Sequence, residues 1–327
     1  MKLFVQIPAL NEEKTIAGVI ENIPRDIPGI AEVRVLVIDD GSTDRTGELA
    51  AKAGALVVRH EQPRGVGAAF KTGIEKSTEL GADVIVTIDA DGQFNPGDIP
   101  KVVDPIIKGE ADFVTASRFI DKSLTPDMPG TKKWGNEFMA RWISSLVNQR
   151  FYDVSCGFRA YSRNAFMRLV LMGEFTYTHE TFLSLAFARV PIKEIPIKVR
   201  GTREHGQSRV ASNLFHYGRR TAMIILKTYR DYRPLRFFSH LAVYLLILSF
   251  GFGLFLLSVK LRTGGFTPHK WAGFVAAALS GTALTVYLVG VVAEMLDRIR
   301  VAQDEILFRV RRLEYTLNNK DRSGGES

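Results

Sequence analysis

The sequence VTIDADGQFNP, residues 86–96, places two aspartates two positions apart directly after a short apolar run. The run predicts a buried β-strand, so Asp89 and Asp91 stand where that strand ends. Two carboxylates in one cleft repel each other, and a divalent cation would offset the repulsion while holding a diphosphate. For an isolated Asp-x-Asp pair, a solvated acidic turn is the simpler interpretation. The neighbouring sequence decides between the two.

Five short β-rich runs lie in the first 120 residues: KLFVQIPA, VRVLVID, ALVVRH, DVIVTID and ADFVTAS. Segments with helical spacing separate them, such as GVGAAFKTGIEKSTEL. This alternation predicts an α/β fold, a Rossmann-like and mostly parallel sheet with helices on both faces. Ligands bind at the carboxyl ends of the strands in such sheets. Asn11 and Glu12 follow the first run, and Asp39 and Asp40 end the second, so the Asp-x-Asp turn is one of three polar strand ends.

Basic residues outnumber acidic ones, with 43 Lys and Arg against 35 Asp and Glu, a net charge of +8 and a pI of about 9.5 over 327 residues. This charge predicts an anionic partner, which could be nucleic acid, a phosphorylated substrate or lipid headgroups. The single cysteine, Cys156, excludes an internal disulfide and a cysteine metal cluster. The six histidines show no metal-site spacing.

Two segments, residues 237–259 and 271–293, contain no Asp, Glu, Lys or Arg. Each exceeds the roughly 20 residues that an α-helix needs to cross a bilayer core. They predict a transmembrane hairpin, which we favour over a pair of buried core helices. Because the basic residues cluster beside these segments, lipid headgroups are favoured over nucleic acid as the anionic partner.

Flanking cations predict the orientation of this hairpin. Eleven basic residues lie outside it: Arg219, Arg220, Lys227, Arg230, Arg233 and Arg236 before, and Arg298, Arg300, Arg309, Arg311 and Arg312 after. Three lie in the connecting loop: Lys260, Arg262 and Lys270. The asymmetry favours both termini, and the domain before the hairpin, on the cytoplasmic side. Residues 211–236 mix aromatic, aliphatic and basic residues, which is typical of an interfacial amphipathic helix.

Taken in order, the segments IPALNEEKTI, VIDDGSTDRT, GVGAAFKTGI and TIDADGQFNP resemble the family 2 glycosyltransferases with the GT-A fold, over about residues 3–210. Within that family the chain is most similar to the polyprenyl-phosphate hexose synthases, such as the dolichyl-phosphate mannose synthases. The segments CGFRAYSR and REHGQSR carry that closer likeness. It implies a catalytic domain at residues 1–210. The patterns in the rest of the sequence predict the interfacial segment 211–236, the hairpin 237–293 and a C-terminal coiled-coil-like helix with a disordered tail at 294–327.

The resemblance implies an inverting, metal-dependent transfer of a hexose to a dolichyl or undecaprenyl phosphate. The donor would be GDP-mannose, UDP-glucose or a UDP-N-acetylhexosamine. Asp89, Asp91 and Gln93 would hold Mg²⁺ or Mn²⁺, which prefer such oxygen ligands. The other residues that the resemblance places at the donor are Pro8, Leu10, Asn11, Glu12, Asp39, Ala90 and His179. Asp40 could contact the donor or cap a helix, and His179 with Glu180 could instead form a helix start.

On the acceptor side the resemblance implies a cationic clamp and no general base. A lipid phosphate is already ionised near neutral pH, so it can attack the anomeric carbon unaided. Arginine supplies fixed charge with two-pronged geometry, which suits phosphate. The candidates are Arg118, Arg203 and Arg209, with Lys132 or Lys133 as weaker ones. For any single arginine, an ordinary surface charge remains an alternative.

Two other functions are possible for this sequence. The chain could be a non-catalytic membrane anchor that binds nucleotide sugars or partner proteins, but the intact Asp89, Asp91 and Arg203 argue against it. It could also be a processive polysaccharide synthase. No Gln-x-x-Arg-Trp segment occurs, and two spans are few for a polymer channel.

The segment after the second apolar stretch contains an apolar repeat. Its members are Leu296, Ile299, Gln303, Ile306, Val310, Leu313 and Leu317, which step by 3, 4, 3, 4, 3 and 4. This a/d spacing over three heptads is typical of a coiled coil with one polar interruption. It favours a homo-oligomer slightly over a helix folded on the membrane or on the catalytic domain.

Overall fold

The structure, a computed structural model, describes residues 1–126, 128, 130–169, 177–200, 222–223, 226–227 and 229–324. The chain forms two compact units. One comprises Met1–Ile225 with Glu305–Ser327, and the other comprises Leu226–Asp304. The first unit contains the sheet and the second contains two long apolar helices.

A seven-stranded mixed sheet forms the centre of the first unit. Its strands are β1 (Lys2–Ala9), β2 (Glu32–Asp39), β3 (Leu56–Arg59), β4 (Val84–Thr87), β5 (Phe113–Ser117), β6 (Arg159–Ser162) and β7 (Ile192–Pro196). They lie in the order β3-β2-β1-β4-β6-β5-β7, and only β6 runs antiparallel to its neighbours. The predicted mostly parallel α/β sheet is confirmed, whereas β6 and β7 were not predicted.

Helices cover both faces of this sheet. They are α1 (Ile16–Glu21), α2 (Thr46–Lys52), α3 (Val66–Glu79), α4 (Ile99–Ile107), α5 (Gly130–Val147), α6 (Arg163–Arg168) and α7 (Thr178–Phe187). Side chains alternate along a strand, so Leu3, Val5 and Ile7 of β1 pack against α1, α2 and α4. Phe4 points the other way, into a second core with α3, α6 and α7. The strands are therefore buried on both faces, which explains their continuous apolar runs.

The strand order reverses between β1 and β4. From β1 the chain proceeds to β2 and β3 on one side, then crosses to β4 on the other side of β1. Ligands of open α/β sheets bind where the strand order reverses in this way. The polar strand ends predicted from the sequence follow β1, β2 and β4, the three strands around that point.

The second unit contains α8 (Pro234–Thr263) and the first part of α9 (Lys270–Gly324). Both helices are long and apolar enough to cross a membrane, with mean hydropathies of 2.3 and 2.0 in their most apolar parts. Only 11% of each apolar stretch is buried, unlike the core helices of a soluble protein. Ser249 of α8 hydrogen-bonds Ala276 O and Ser280 Oγ of α9, at 2.7 and 2.8 Å, so the two helices pack together.

Most of the predicted interfacial segment, residues 211–236, lies outside the described residues. Its last residues, from Pro234 onward, belong to α8. The predicted C-terminal helix is the continuation of α9, without a break after the second apolar stretch. The helix extends to Gly324, into the tail that was expected to be disordered.

Candidate active site

The loops after β1 and β2 are held together by side-chain hydrogen bonds to backbone groups. Asn11 adopts a left-handed conformation with φ of 53°, and its Oδ1 accepts a hydrogen bond from Thr43 N at 2.8 Å. Asn11 N donates to Ser42 Oγ at 3.0 Å, and Glu12 N donates to Thr46 Oγ1 at 2.8 Å. Asn11 therefore shapes the loop that carries Leu10 and Glu12, in addition to any contact with a ligand.

Asp39 is a fully buried carboxylate at the end of β2. Its Oδ1 accepts from Ser42 N at 2.8 Å. Its Oδ2 has no hydrogen-bond partner among the described residues and lies 3.7 Å from Arg59 Nε. An added Cβ on Gly47 would come within 2.7 Å of that oxygen, so a glycine at this position keeps the space beside it open. A buried acceptor of this kind fits a ligand hydroxyl or N–H.

Asp40, the next residue, differs from Asp39 because both of its carboxylate oxygens have hydrogen-bond partners. Its carboxylate accepts hydrogen bonds from Arg64 N at 2.9 Å and from Gly65 N at 2.8 Å. His60 Nδ1 lies 2.7 Å from the same group. Asp40 thus binds the chain just before α3 (Val66–Glu79), at the N–H groups of two residues that precede the helix, and makes no cap hydrogen bond to its first turn.

Asp91 lies in the turn after β4 and is 3% exposed, with its Oδ1 accepting from Gln93 N at 3.1 Å. Gln93 Nε2 donates to Arg200 O at 3.2 Å, and Arg200 N donates to Gln93 O at 3.0 Å. The turn is therefore attached to the segment that follows β7. Ala90, between the two aspartates, is buried.

Asp89 is packed against the backbone of a residue that sequence reasoning did not single out. A Cβ added to Gly157 would lie 3.0 Å from both carboxylate oxygens of Asp89. Any larger side chain there would have to displace the carboxylate. Burial, followed by the negative charge of Asp89, raises the pKa of Tyr177 well above its ordinary value, so that ring also lies near Asp89.

The guanidinium of Arg159 holds the segment that contains Gly157. Arg159 is fully buried, and its nitrogens donate to Cys156 O at 2.7 Å, Thr178 O at 2.8 Å and Val154 O at 2.9 Å. The rings of Phe113, Tyr177 and Phe182 surround it, with centroids 5.2–5.9 Å from its central carbon. The CGFRAYSR segment contains this arginine, but only its three hydrogen bonds to backbone carbonyls reveal its role.

Arg118 makes a two-pronged ion pair with Asp153. Its Nε and Nη2 lie 2.6 and 2.8 Å from the two carboxylate oxygens, and Nη2 also donates to Ser155 Oγ at 2.7 Å. Burial alone would lower the pKa of Arg118, but the Asp153 carboxylate outweighs it and raises that pKa, and Asp89 adds to the increase. Arg118 therefore lies near the Asp-x-Asp turn, with most of its fork already used.

Glu194 supports the same ion pair from β7. Its carboxylate accepts hydrogen bonds from Tyr152 N at 2.9 Å and Asp153 N at 2.8 Å. Burial raises the pKa of Glu194 to about 7, against an ordinary value of 4.5. The Glu194 carboxyl group, which accepts a hydrogen bond from the backbone of Asp153, therefore changes its charge near neutral pH.

The remaining predicted residues lie as follows. Pro8 is inside β1, in register with Ile38 of β2. His179 is buried in the first turn of α7, and burial, with the nearby Arg159, lowers the pKa of this histidine to about 4. Lys133 is exposed near the start of α5, and nothing is described for the side chain of Lys132. Arg203 and Arg209 lie outside the described residues.

The oxygen ligands at the Asp-x-Asp turn fit a hard divalent cation. Among the described residues, no three His, Cys, Asp or Glu side chains converge on one metal position. Asp89, Asp91 and the Gln93 amide oxygen would therefore have to share a cation with oxygens of a bound ligand, as Mg²⁺ does in many phosphate sites. The glycine at position 157 leaves room for the Asp89 carboxylate at this turn.

The chain is similar to several known proteins. The model of glycosyl transferase family 2 matches residues 4–170. A UDP-N-acetylglucosamine–dolichyl-phosphate N-acetylglucosaminyltransferase of Methanococcus voltae is 32% identical over 60% of this chain and 84% of the relative. A dolichyl-phosphate hexose transferase of Haloferax volcanii is 35% identical over 61% of this chain and 82% of the relative.

Solved structures confirm the predicted GT-A fold. Glucosyl-3-phosphoglycerate synthase from Mycobacterium tuberculosis, in complex with Mn²⁺, UDP-glucose and phosphoglyceric acid, is 25% identical with a TM-score of 0.56. The match covers 70% of this chain and 79% of that one. That neighbour holds a divalent cation together with a nucleotide sugar.

Proposed function

Because the chain belongs to glycosyl transferase family 2, we propose that it is a membrane enzyme that transfers a hexose, with inversion, from a nucleotide sugar to a polyprenyl phosphate. The Oδ2 oxygen of Asp39 carries this proposal. It is a buried acceptor at the strand switch point without a hydrogen-bond partner among the described residues, and a ribose hydroxyl or base N–H would satisfy it. The names of the two dolichyl-phosphate relatives support the acceptor class.

The donor binds across the ends of β1, β2 and β4. Asp39 accepts from the nucleoside, and the loop at Leu10–Glu12 lines the pocket beside it. Asp89, Asp91 and Gln93 hold Mg²⁺ or Mn²⁺. When bound, the cation neutralises charge on the diphosphate and so makes it a better leaving group. Gly157 leaves room for the Asp89 carboxylate, and Arg159 fixes the backbone segment that contains this glycine.

The acceptor phosphate attacks without a protein base. A phosphate monoester has a second pKa of about 6, so its oxygens are ionised at neutral pH. One of them forms a bond to the anomeric carbon while the bond from that carbon to the nucleotide diphosphate breaks, and the diphosphate leaves with the electron pair. Arg118 directs its remaining nitrogen, Nη1, at the phosphate, with Arg203 and Arg209 as further cations of the clamp.

The test is a product assay on the full chain in detergent micelles. Short-chain polyprenyl phosphate is incubated with a panel of GDP- and UDP-sugars and Mn²⁺, and the molecular mass of the lipid product is measured by mass spectrometry. We expect one donor to add one hexosyl mass to the lipid phosphate and none to the matched polyprenol. Transfer to soluble phosphoglyceric acid only, or nucleotide binding with no transfer to any acceptor, would contradict the proposal.

The membrane orientation has a separate test. We propose that α8 and α9 cross the cytoplasmic membrane and that the catalytic domain is cytoplasmic. Eleven basic residues flank the hairpin on the side of the termini, and three lie in the connecting loop. A tag inserted at Gly265, in that loop, should be labelled only from the side opposite to both termini. Labelling of all three positions from one side would show that the helices do not cross.

A further inference from the structure

The last part of α9 has two faces with different surroundings. One face packs on the first unit through Phe308, Arg311 and Tyr315, which are spaced by 3 and 4 residues. Tyr315 is 6% exposed, and its hydroxyl lies 3.1 Å from Gly81 O and 3.2 Å from Asp83 Oδ1. Arg311 Nη1 donates to the carbonyls of Met167 and Leu169 at 3.0 and 2.8 Å.

Two arginines of α6 complete this contact. Arg163 lies over the ring of Tyr315 at 4.1 Å, and Arg168 lies over the ring of Phe308 at 4.0 Å. Together with the carbonyl hydrogen bonds they fix the rotation of the helix about its own axis. The direction in which the opposite face points is therefore set by the fold.

The opposite face is an apolar seam that remains exposed. Its residues in the first unit are Ile306, Val310, Leu313 and Leu317, whose exposed fractions are 61%, 43%, 63% and 60%. They belong to the 3-4 repeat that begins at Leu296. Aliphatic side chains aligned on a helix beyond its apolar stretch are unfavourable in water unless another surface covers them.

We propose that this seam pairs in parallel with the seam of a second copy, forming a short two-stranded coiled coil that makes the protein a homodimer. The occupant is a second copy because the 3-4 spacing is the one that lets identical helices interlock their side chains. Gln303 stands at a seam position and would meet its own copy, which fixes the register. The proposal rests on α9 crossing the membrane, and it does not depend on which sugar is transferred.

Charges beside the seam also complement each other in this arrangement. With Val310 and Leu313 at positions a and d, Arg309 occupies position g and Glu314 occupies position e of the following heptad. In a parallel pair, position g of one helix lies beside that position e of the other. Arg309 would therefore face Glu314 of the second copy, and by symmetry the contact occurs twice.

Anchoring in one membrane favours this pairing in two ways. Two copies with the same topology present α9 on the same side and in the same direction, which selects the parallel arrangement. Three heptads would be marginal as free peptides. Confinement to a membrane raises the effective concentration of one copy around another, so a short seam is sufficient.

Cysteine cross-linking of the full chain in membranes tests the geometry. The native Cys156 is buried, so a disulfide between two copies can form only through the introduced cysteines. Val310→Cys and Leu313→Cys should give an oxidised dimer, whereas Arg312→Cys, exposed and outside the seam, should not. Equal cross-linking at all three positions would indicate random collision and overturn the proposal, as would no cross-linking at any of them. Melting temperature confirms that each variant is folded.

Exchanging the charges of Arg309 and Glu314 tests whether the partner helix is a second copy of this chain. Arg309→Glu and Glu314→Arg should each raise the dimer dissociation constant about five-fold in lipid vesicles, measured by energy transfer between labelled copies, because two exposed ion pairs are lost. The double variant restores both pairs and should return to the wild-type value. A double variant as weak as the single ones, or a monomeric wild type, would overturn the proposal. Hexose transfer measured on the same samples keeps this result separate from the proposed function.

Discussion

The two halves of the sheet use buried charge differently. At the ends of β1, β2 and β4, Asp39 keeps an oxygen without a hydrogen-bond partner among the described residues. Beside β5, β6 and β7, the charges are satisfied internally, Arg159 by three carbonyls and Arg118 by Asp153. We propose that the first half binds the donor through the Asp39 oxygen. We propose that the second half holds the Asp-x-Asp turn in position and that Arg118, on its border, contacts the acceptor phosphate.

The largest expected effect concerns the first half. Asp91→Asn keeps the shape of the turn but halves the carboxylate charge available to a cation, so turnover should fall by several orders of magnitude while the fold is retained. Hexose transfer by the purified full chain measures it. The matched control is Asp104→Asn, which changes an exposed carboxylate on α4 and should leave turnover near the wild-type value. Near-normal transfer by Asp91→Asn, or by the wild type in EDTA, would show that the reaction does not need the proposed metal.

The next effect concerns the second half and should appear in stability. Arg159→Met leaves three buried carbonyls without donors, and each such group costs about 1 to 3 kcal/mol. We expect a loss of at least about 3 kcal/mol in the free energy of unfolding, seen as a lower melting temperature of the full chain in detergent. Arg34→Met on the exposed surface of β2 is the control. If the two variants melt alike, Arg159 does not organise this half.

Arg118 tests the boundary between the halves. Arg118→Lys keeps the charge but loses the planar fork, which both Asp153 and a phosphate require. Charged hydrogen bonds are worth about 1.5 to 3 kcal/mol, so kcat/KM for the lipid phosphate should fall roughly 10- to 150-fold. The KM for the nucleotide sugar should change little. If only the binding of the nucleotide sugar is weakened, Arg118 belongs to the donor site and not to the acceptor clamp.

The smallest effect is a pH dependence of stability from Glu194. Its pKa in the folded protein, about 7, lies above the ordinary value of 4.5, so the folded state holds a proton that the unfolded state releases between those values. The contribution to stability is complete below about pH 4.5 and is lost as pH rises through 7. Between about pH 6 and pH 8 this should lower stability by about 1 kcal/mol. Glu194→Gln should remove that slope, and an unchanged slope would show that the group does not titrate there.

The strand-end acids could be predicted from sequence because the signals are local. An apolar run followed by Asp-x-Asp identifies both a strand and its end. β6 and β7 were missed because they are short and contain charged residues, Arg159 in one and Lys193 with Glu194 in the other. A buried arginine in a strand is recognisable only when the carbonyls that accept its hydrogen bonds are known.

Adjacent residues show the same limit within the site. Asp39 and Asp40 are adjacent acids at the same strand end, yet the buried Oδ2 of Asp39 has no hydrogen-bond partner among the described residues, whereas Asp40 binds the chain just before α3. The difference depends on where Arg64 and Gly65 come in space. Likewise, Arg118 was predicted as a phosphate clamp, and its partner Asp153 lies 35 residues away along the chain. Contacts of this kind follow from the tertiary fold.

Calorimetric titration of the full chain with Mn²⁺ and a nucleoside diphosphate tests the division between the halves most directly. UDP and GDP are each titrated into the wild type, Asp39→Ala, Asp91→Asn and Arg118→Lys. We predict that Asp39→Ala and Asp91→Asn each weaken nucleotide binding at least ten-fold, since a buried charged hydrogen bond and a metal ligand are lost, while Arg118→Lys binds as the wild type does. Unchanged binding by both aspartate variants, or a loss with Arg118→Lys alone, would contradict a donor site at the ends of β1, β2 and β4.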